Sequence, residues 1–153
     1  MSGSGAPQLE VSGEGKTIYV VATSWHPTIM DGLVQGALRE LEKAGTKNVV
    51  LQRVPGAFEL PLAAMFAIEQ GADAVIALGV VIRGETPHFD YVCKSATDGL
   101  TQLQLDTGTP IGFGLLTVDN EAQAIARAGL ENSKEDKGAE AVQAALHMLS
   151  LRP

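Results

Sequence analysis

Four apolar runs of strand length punctuate this chain, and between them apolar residues recur at helical spacing. The first run, Thr17 to Thr23 (TIYVVAT), is rich in β-branched residues, which fit a pleated, buried surface. Pro27 marks a helix start. Ile29, Met30, Leu33, Val34, Ala37, Leu38 and Leu41 then share one helical face, and Gly45 ends the pattern. Asn48 to Val54 predicts a second strand, punctuated by Pro55-Gly56, and a helix from about Phe58 to Gln70 follows, closed by Gly71. Ala74 to Ile82 is an uninterrupted apolar run, as expected of a parallel strand buried on both faces. Thr86 as a cap, Pro87 at the first helical position and Asp90 in the first turn then predict a helix to about Leu105, with Val92, Ala96, Leu100 and Leu103 facing inward. Pro110 to Val118 predicts a fourth strand. Asn120 with Gln123 forms a capping box for a short helix ending at Gly129. Ser133 with Asp136 is expected to cap a last helix to Leu151, with Ala139, Val142, Leu146 and Leu149 on its inner face.

Strand and helix thus alternate four times over short connections. Right-handed crossovers then give an α/β fold: a three-layer αβα sandwich around a central four-stranded parallel sheet, with flavodoxin-like strand order. A chain of 153 residues is long enough for one such domain, expected over residues 16–153. Residues 1–15 are rich in Gly and Ser and are expected to be a flexible arm, in which Leu9 and Val11 can add a short edge strand.

With 45% hydrophobic and 19% charged residues the chain is of ordinary globular type, which argues against disorder. The formal net charge of −7, without any basic cluster, makes nucleic acid and anionic membranes poor partners. Cys93 stands alone, so no intrachain disulfide can form and a reducing compartment is the simplest setting. The segment from Met1 to Pro7 has neither a basic start nor an apolar core, and no apolar run approaches the roughly 20 residues of a membrane span. A cytoplasmic protein is expected.

Several chemistries are unlike this pattern. The turn after the first strand, Thr23-Ser24-Trp25-His26-Pro27, lacks the glycines that let a dinucleotide pyrophosphate approach the backbone. A Walker lysine loop and a Gly-x-Ser-x-Gly elbow are absent, and His26, His88 and His147 have no metal-site spacing with each other or with Cys93. Cys93 itself reads as a small buried residue, and His147 falls on the outer face of the last helix.

What remains lies at the strand ends, where ligands bind in open α/β sheets. Trp25 reads either as a packing residue or as a stacking surface for a flat ring. Glu59, in a first helical turn, either complements the helix dipole or hydrogen-bonds a polyol or amine. Gly84-Glu85-Thr86 offers consecutive N–H groups and a hydroxyl at a helix start, as a turn and cap or as an anion cradle. Arg127 and Lys137 are solvated charges or anion ligands. His88, in the first turn after that cradle, lies near free N–H groups that favour a neutral ring able to accept and return a proton near pH 7. Together these residues predict proton-transfer or condensation chemistry on a phosphorylated small molecule, without metal or nucleotide.

Read with their neighbours, these segments resemble the lumazine synthases. The likeness is carried by Ser24-Trp25-His26, Val54 through Pro61, Leu78 through Cys93, Thr109-Pro110-Ile111 leading to Phe113 through Thr117, Arg127-Ala128-Gly129 and Asp136-Lys137-Gly138, in order over about residues 15 to 150. The resemblance implies a transferase of riboflavin biosynthesis that condenses 5-amino-6-ribitylaminouracil with 3,4-dihydroxy-2-butanone 4-phosphate, releasing phosphate and water, with no cofactor and no metal. It implies that Trp25 stacks on the pyrimidine, where many relatives have phenylalanine, with His26 beside it either contacting substrate or only capping a helix. Ala57 and Glu59 would hold the ribityl chain, and Val80, Val81 and Ile82 would present backbone groups to the heterocycle. Gly84, Glu85, Thr86 and Arg127 would bind phosphate, and His88 would shuttle protons. Phe113, Arg127 and Lys137 would come from a neighbouring subunit of a homopentamer. The link Leu130 to Asp136 is longer than in shell-forming relatives, which resembles the isolated pentamers of actinobacterial members. A flavin- or lumazine-binding protein or an oligomeric scaffold of the same fold is the alternative, against which His88 and the phosphate loop argue.

Overall fold

A computed structural model describes residues 5–153. Four parallel strands, β1 (Thr17–Thr23), β2 (Asn48–Val54), β3 (Ala74–Ile82) and β4 (Ile111–Val118), form one sheet in the order β2-β1-β3-β4. The helices are α1 (Pro27–Lys43), α2 (Leu60–Glu69), α3 (His88–Thr107), α4 (Glu121–Ile125) and α5 (Lys137–Leu151). The expected α/β sandwich with flavodoxin-like order is therefore present. Among the described residues no helix is long and apolar enough to cross a membrane.

Side-chain alternation divides the core into two layers. Ile18, Val20 and Ala22 of β1 and Ala74, Ile76, Leu78 and Val80 of β3 pack with Met30, Leu33 and Leu41 of α1 and Val142 and Leu146 of α5. Tyr19, Val21, Val75 and Ala77 point the other way, onto Leu60, Ala64 and Ala67 of α2 and Ala96 and Leu100 of α3. A fully buried Leu or Ile contributes about 2 kcal/mol of transfer free energy. An apolar position is therefore needed on both faces of β1 and β3, which is why these two strands show no polar alternation.

Helix α5 lies so close to its neighbours that two positions admit only glycine. A Cβ on Gly138 would sit 2.1 Å from the Leu33 carbonyl oxygen of α1, and one on Gly112 of β4 would sit 2.3 Å from the Ala141 carbonyl oxygen. This contact also turns α5 relative to the expected face: Gly138, Ala141 and Ala145 are buried with Val142, Leu146 and Leu149, while Ala139 is not.

Four further expectations are corrected. Leu9 and Val11 form no edge strand: the Gly13 amide donates to the Ala44 carbonyl at 2.9 Å, drawing this segment onto the end of α1, where Val11 packs on the core. The helix expected from Phe58 is a 3₁₀ turn over Ala57–Glu59 followed by α2. Thr86 does not cap α3: Pro87 takes the cap position, its carbonyl accepting from Asp90 N at 3.0 Å, so His88 opens the helix. Ser133 does not cap α5 either; Asp136 alone does, through the Ala139 amide at 3.0 Å. The first four residues of the expected flexible arm lie outside the described residues.

Because the clash at position 138 is with backbone, relaxation around a new methyl requires α1 and α5 to separate. Gly138→Ala is expected to lower stability by about 3 kcal/mol, the upper range for overpacking, read as a shift in the denaturant midpoint; an unchanged midpoint would show that the two helices do not need this approach.

Candidate active site

All four strands end at the same edge of the sheet, but they do not end level. β1 pairs with β3 as far as Ala22–Leu78, whereas β3 and β4 stay paired to Ile82–Val118. From Gly79 onward β3 therefore has a partner on one side only. Val80, Val81 and Ile82 form a rim whose other side faces the loops after β1 and β2, and backbone groups there lack a strand to bond with.

Those two loops are joined to each other. Ser24 Oγ donates to the Val54 carbonyl at 2.8 Å, and the Ser24 amide donates to the Pro55 carbonyl at 3.2 Å. Trp25 is 67% exposed, and its indole edge flanks Gly56, where a Cβ would lie 3.4 Å from Nε1. A packing role for Trp25 is thereby set aside; its ring offers an open face. The Gly56 amide donates to Glu59 Oε2 at 3.0 Å, which holds the Glu59 carboxylate against the same glycine that the indole flanks. Ala57 is buried in the same apolar cluster as Val81. His26 precedes α1 with φ 57°, the one non-glycine residue in the left-handed region among the described residues, and its side chain caps nothing. Only its carbonyl serves the helix, accepting from Met30 N at 3.0 Å.

On the far side of the rim lies the turn Gly84-Glu85-Thr86. These residues and His88 are exposed, and among the described residues the N–H groups of Gly84, Glu85, Thr86 and His88 have no protein acceptor. Free amides at the start of a 20-residue helix are suited to an anion. The turn is anchored by a residue that the sequence reading passed over. Arg83 donates through Nε to Asp119 Oδ1 at 2.9 Å, pairs with Asp90 Oδ1 at 3.4 Å and lies 4.4 Å from the Phe89 ring centroid. Its one legible signal was an arginine at a strand end with an aspartate seven residues on. Cys93 is half-buried one turn further along α3, and burial, with a smaller push from Asp90, raises its thiol pKa, which disfavours a thiolate nucleophile.

Phe113, Arg127 and Lys137 come together elsewhere. They line a cavity of about 500 Å³ between β4 and α5, to which neither Trp25, Glu59 nor His88 contributes. Phe113 is half exposed on edge strand β4. The segment carrying the two cations folds back on itself: the Lys137 amide donates to the Arg127 carbonyl at 3.0 Å, and Ala128 bridges to Asp136 in antiparallel fashion. Ser133 closes the turn, its hydroxyl donating to the Ile125 carbonyl and accepting from the Leu130 amide. The link Leu130 to Asp136 is thus a folded element with its own hydrogen bonds.

An open parallel α/β sheet with an unpaired rim, an exposed aromatic, a turn of free amides and a histidine at its carboxyl edge belongs to the class of small-molecule-binding α/β proteins. Comparison with known proteins narrows the class. The family model described as 6,7-dimethyl-8-ribityllumazine synthase matches residues 15–152. Curated relatives named 6,7-dimethyl-8-ribityllumazine synthase include one from Kineococcus radiotolerans, 64% identical over 146 residues, covering 95% of this chain and 91% of the relative. Another, from Streptomyces coelicolor, is 56% identical over 147 residues with coverages of 95% and 91%. A third, from Kocuria rhizophila, is 58% identical over 149 residues and covers 95% of each chain. The chain belongs to the 6,7-dimethyl-8-ribityllumazine synthase family.

The cation-bearing segment is fixed to the fold through Asp136, which caps α5 and pairs with Arg39 of α1 at 3.3 Å. Asp136→Ala is expected to lower stability by about 1–2 kcal/mol, mostly through the lost cap, whereas Asp136→Asn, which keeps an acceptor for the Ala139 amide, should lose less than half as much. Equal losses in a denaturation series would assign the effect to the ion pair instead.

Proposed function

We propose that the two half-sites form one catalytic site between neighbouring copies of this chain. The enzyme is a transferase of riboflavin biosynthesis that condenses 5-amino-6-ribitylaminouracil with 3,4-dihydroxy-2-butanone 4-phosphate, giving 6,7-dimethyl-8-ribityllumazine with release of phosphate and water. Within the family shown by the comparisons, the observation that carries the site assignment is the β3 overhang, which leaves a backbone edge between an exposed tryptophan and an anion turn.

In this reading the pyrimidine stacks on Trp25 and hydrogen-bonds the backbone of Val80, Val81 and Ile82. Glu59 and Ala57 receive the ribityl chain, and His26 borders it beside Trp25. The phosphate of the second substrate rests on Gly84, Glu85 and Thr86, where unpaired amides at a helix start meet it. The substrate amine attacks the ketone and water is lost to form an imine; phosphate departs, and the ribitylamino nitrogen attacks the remaining carbonyl, whose oxygen leaves as a second water as the ring closes. Each step moves a proton, and the His88 imidazole at the rim relays it. Holding both substrates against one rim supplies the remaining acceleration by proximity.

A single chain leaves this site open to water, because Trp25, Thr86 and His88 are all exposed. The neighbouring subunit closes it, adding Phe113, Arg127 and Lys137. Such a contact is heterologous, one patch against a different patch, and repeats into a ring. The exposed stripe Phe58, Leu62 and Phe66 along the start and length of α2 gives apolar area for that contact. The ring is a homopentamer, and the folded, extended link Leu130 to Asp136 favours isolated pentamers over larger shells. The single cysteine suits a cytoplasmic setting.

Mixing the two substrates with the protein and following the fluorescence of the lumazine tests the reading directly. His88→Ala should slow turnover by about 10²-fold while leaving activity above the uncatalysed rate, because positioning survives; wild-type turnover in this variant would remove His88 from the relay. Sedimentation should give a particle of about 80 kDa for five 16.0 kDa chains, and a particle near one megadalton would replace the pentamer by a shell.

A further inference from the structure

Behind the two cations of the β4 cavity stands a carboxylate to which no role has been given. Glu135 is bound into the fold at its backbone: its amide donates to the Ala126 carbonyl and its carbonyl accepts from the Gly129 amide, both at 3.0 Å. Its side chain turns inward and is 9% exposed. Oε2 lies 3.6 Å from Arg127 Nε, and Oε1 lies 3.6 Å from Lys137 Nζ. Both distances are too long for hydrogen bonds. Oε1 is buried and has no hydrogen-bond partner among the described residues.

Burial of a carboxylate is costly, and an unmet acceptor adds to the cost. A purely structural ion pair would relieve it by closing to direct hydrogen bonds. Here the charge attracts both cations and uses none of their N–H groups. Arg127 is further fixed by Nη1, which donates to the Gln123 carbonyl at 2.8 Å, and Lys137 by Glu140 Oε1 at 3.2 Å. Arg127 Nη2 has no protein acceptor among the described residues. Both residues line the cavity and Glu135 does not.

We propose that Glu135 is a positioning residue, which presets Arg127 and Lys137 from behind so that their free N–H groups meet the phosphate of the second substrate. This deepens the function proposed above and rests on it. Two views of Glu135 differ in sign. If it only lowered the charge of the pocket, Glu135→Gln would leave a more positive site and tighten phosphate. If it positions the cations, the same variant should weaken phosphate, because an amide has no charge to hold them and its NH₂ group opposes them.

The test uses the full-length assembled protein with inorganic phosphate as the probe. For Glu135→Gln, the inhibition constant of phosphate and the KM of the phosphorylated substrate should each rise about tenfold, while the KM of the amine substrate changes less than twofold. Glu135→Asp, which keeps the charge on a shorter arm, should recover part of the loss. Tighter or unchanged phosphate in Glu135→Gln overturns the proposal, as do equal rises in both KM values. Should Glu135→Gln fail to assemble, Glu135→Asp decides alone: a rise of about threefold confined to phosphate and the phosphorylated substrate supports positioning, and no rise overturns it. A wild-type protein that forms no lumazine would overturn the underlying function instead, so the two failures are distinct.

Discussion

The chemistry at the carboxyl edge depends on one constraint, the unequal pairing of β3 with its two neighbours. Within the sheet the backbone groups of β3 are consumed by β1 and β4. Beyond Leu78 the β1 side falls away while the β4 side continues, which leaves half of a ladder unfilled at a place walled by protein. Buried backbone polar groups need partners, so that edge is open to a ligand with donors and acceptors of its own. The loops around it are fixed: Ser24 ties the β1 loop to the β2 loop, and Arg83 ties the turn before α3 to the end of β4.

A second arrangement, independent of the first, fixes the cations of the β4 cavity. Helices α1 and α5 approach until glycine carries the contact at position 138, and Asp136 lies against the backbone of Gly36 and Gly129. The segment from Arg127 to Lys137 is thereby attached to the rigid α1–α5 layer, although it connects two helices and would otherwise be an ordinary surface loop. Its cations inherit that rigidity, and the Glu135 side chain, 9% exposed, sits between them. The β3 rim and the β4 cavity occupy different parts of one chain.

Residues differed in how legible they were. Strands β1 and β3 could be read to their ends because each is an unbroken β-branched or apolar run, and β2 because Pro55-Gly56 closes a run that begins with Val49-Val50-Leu51. Helix starts were less secure where two capping signals competed. Asp136 prevailed over Ser133 because the chain folds back through Ser133 before α5 begins, and Pro87 displaced Thr86 because its carbonyl already serves the first turn. Trp25, Glu59 and His88 announced themselves as unusual residues at strand ends. Arg83 and Glu135 did not, since a charged residue in a polar segment looks like solvated surface until its partners are known.

By itself the sequence determined the order of elements, the parallel sheet and the two-sided burial of β3. All of this follows from local composition and from periods of 2 and 3.6, which a linear chain displays directly. Its likeness to the lumazine synthases named the chemistry as well. Only the tertiary structure decided where β1 stops along β3, that Phe113, Arg127 and Lys137 share a cavity apart from His88, and that Glu135 is buried between two cations. Those are distances between residues remote in sequence or on opposite sides of a turn, and such distances are set by packing and register, on which local pattern is silent.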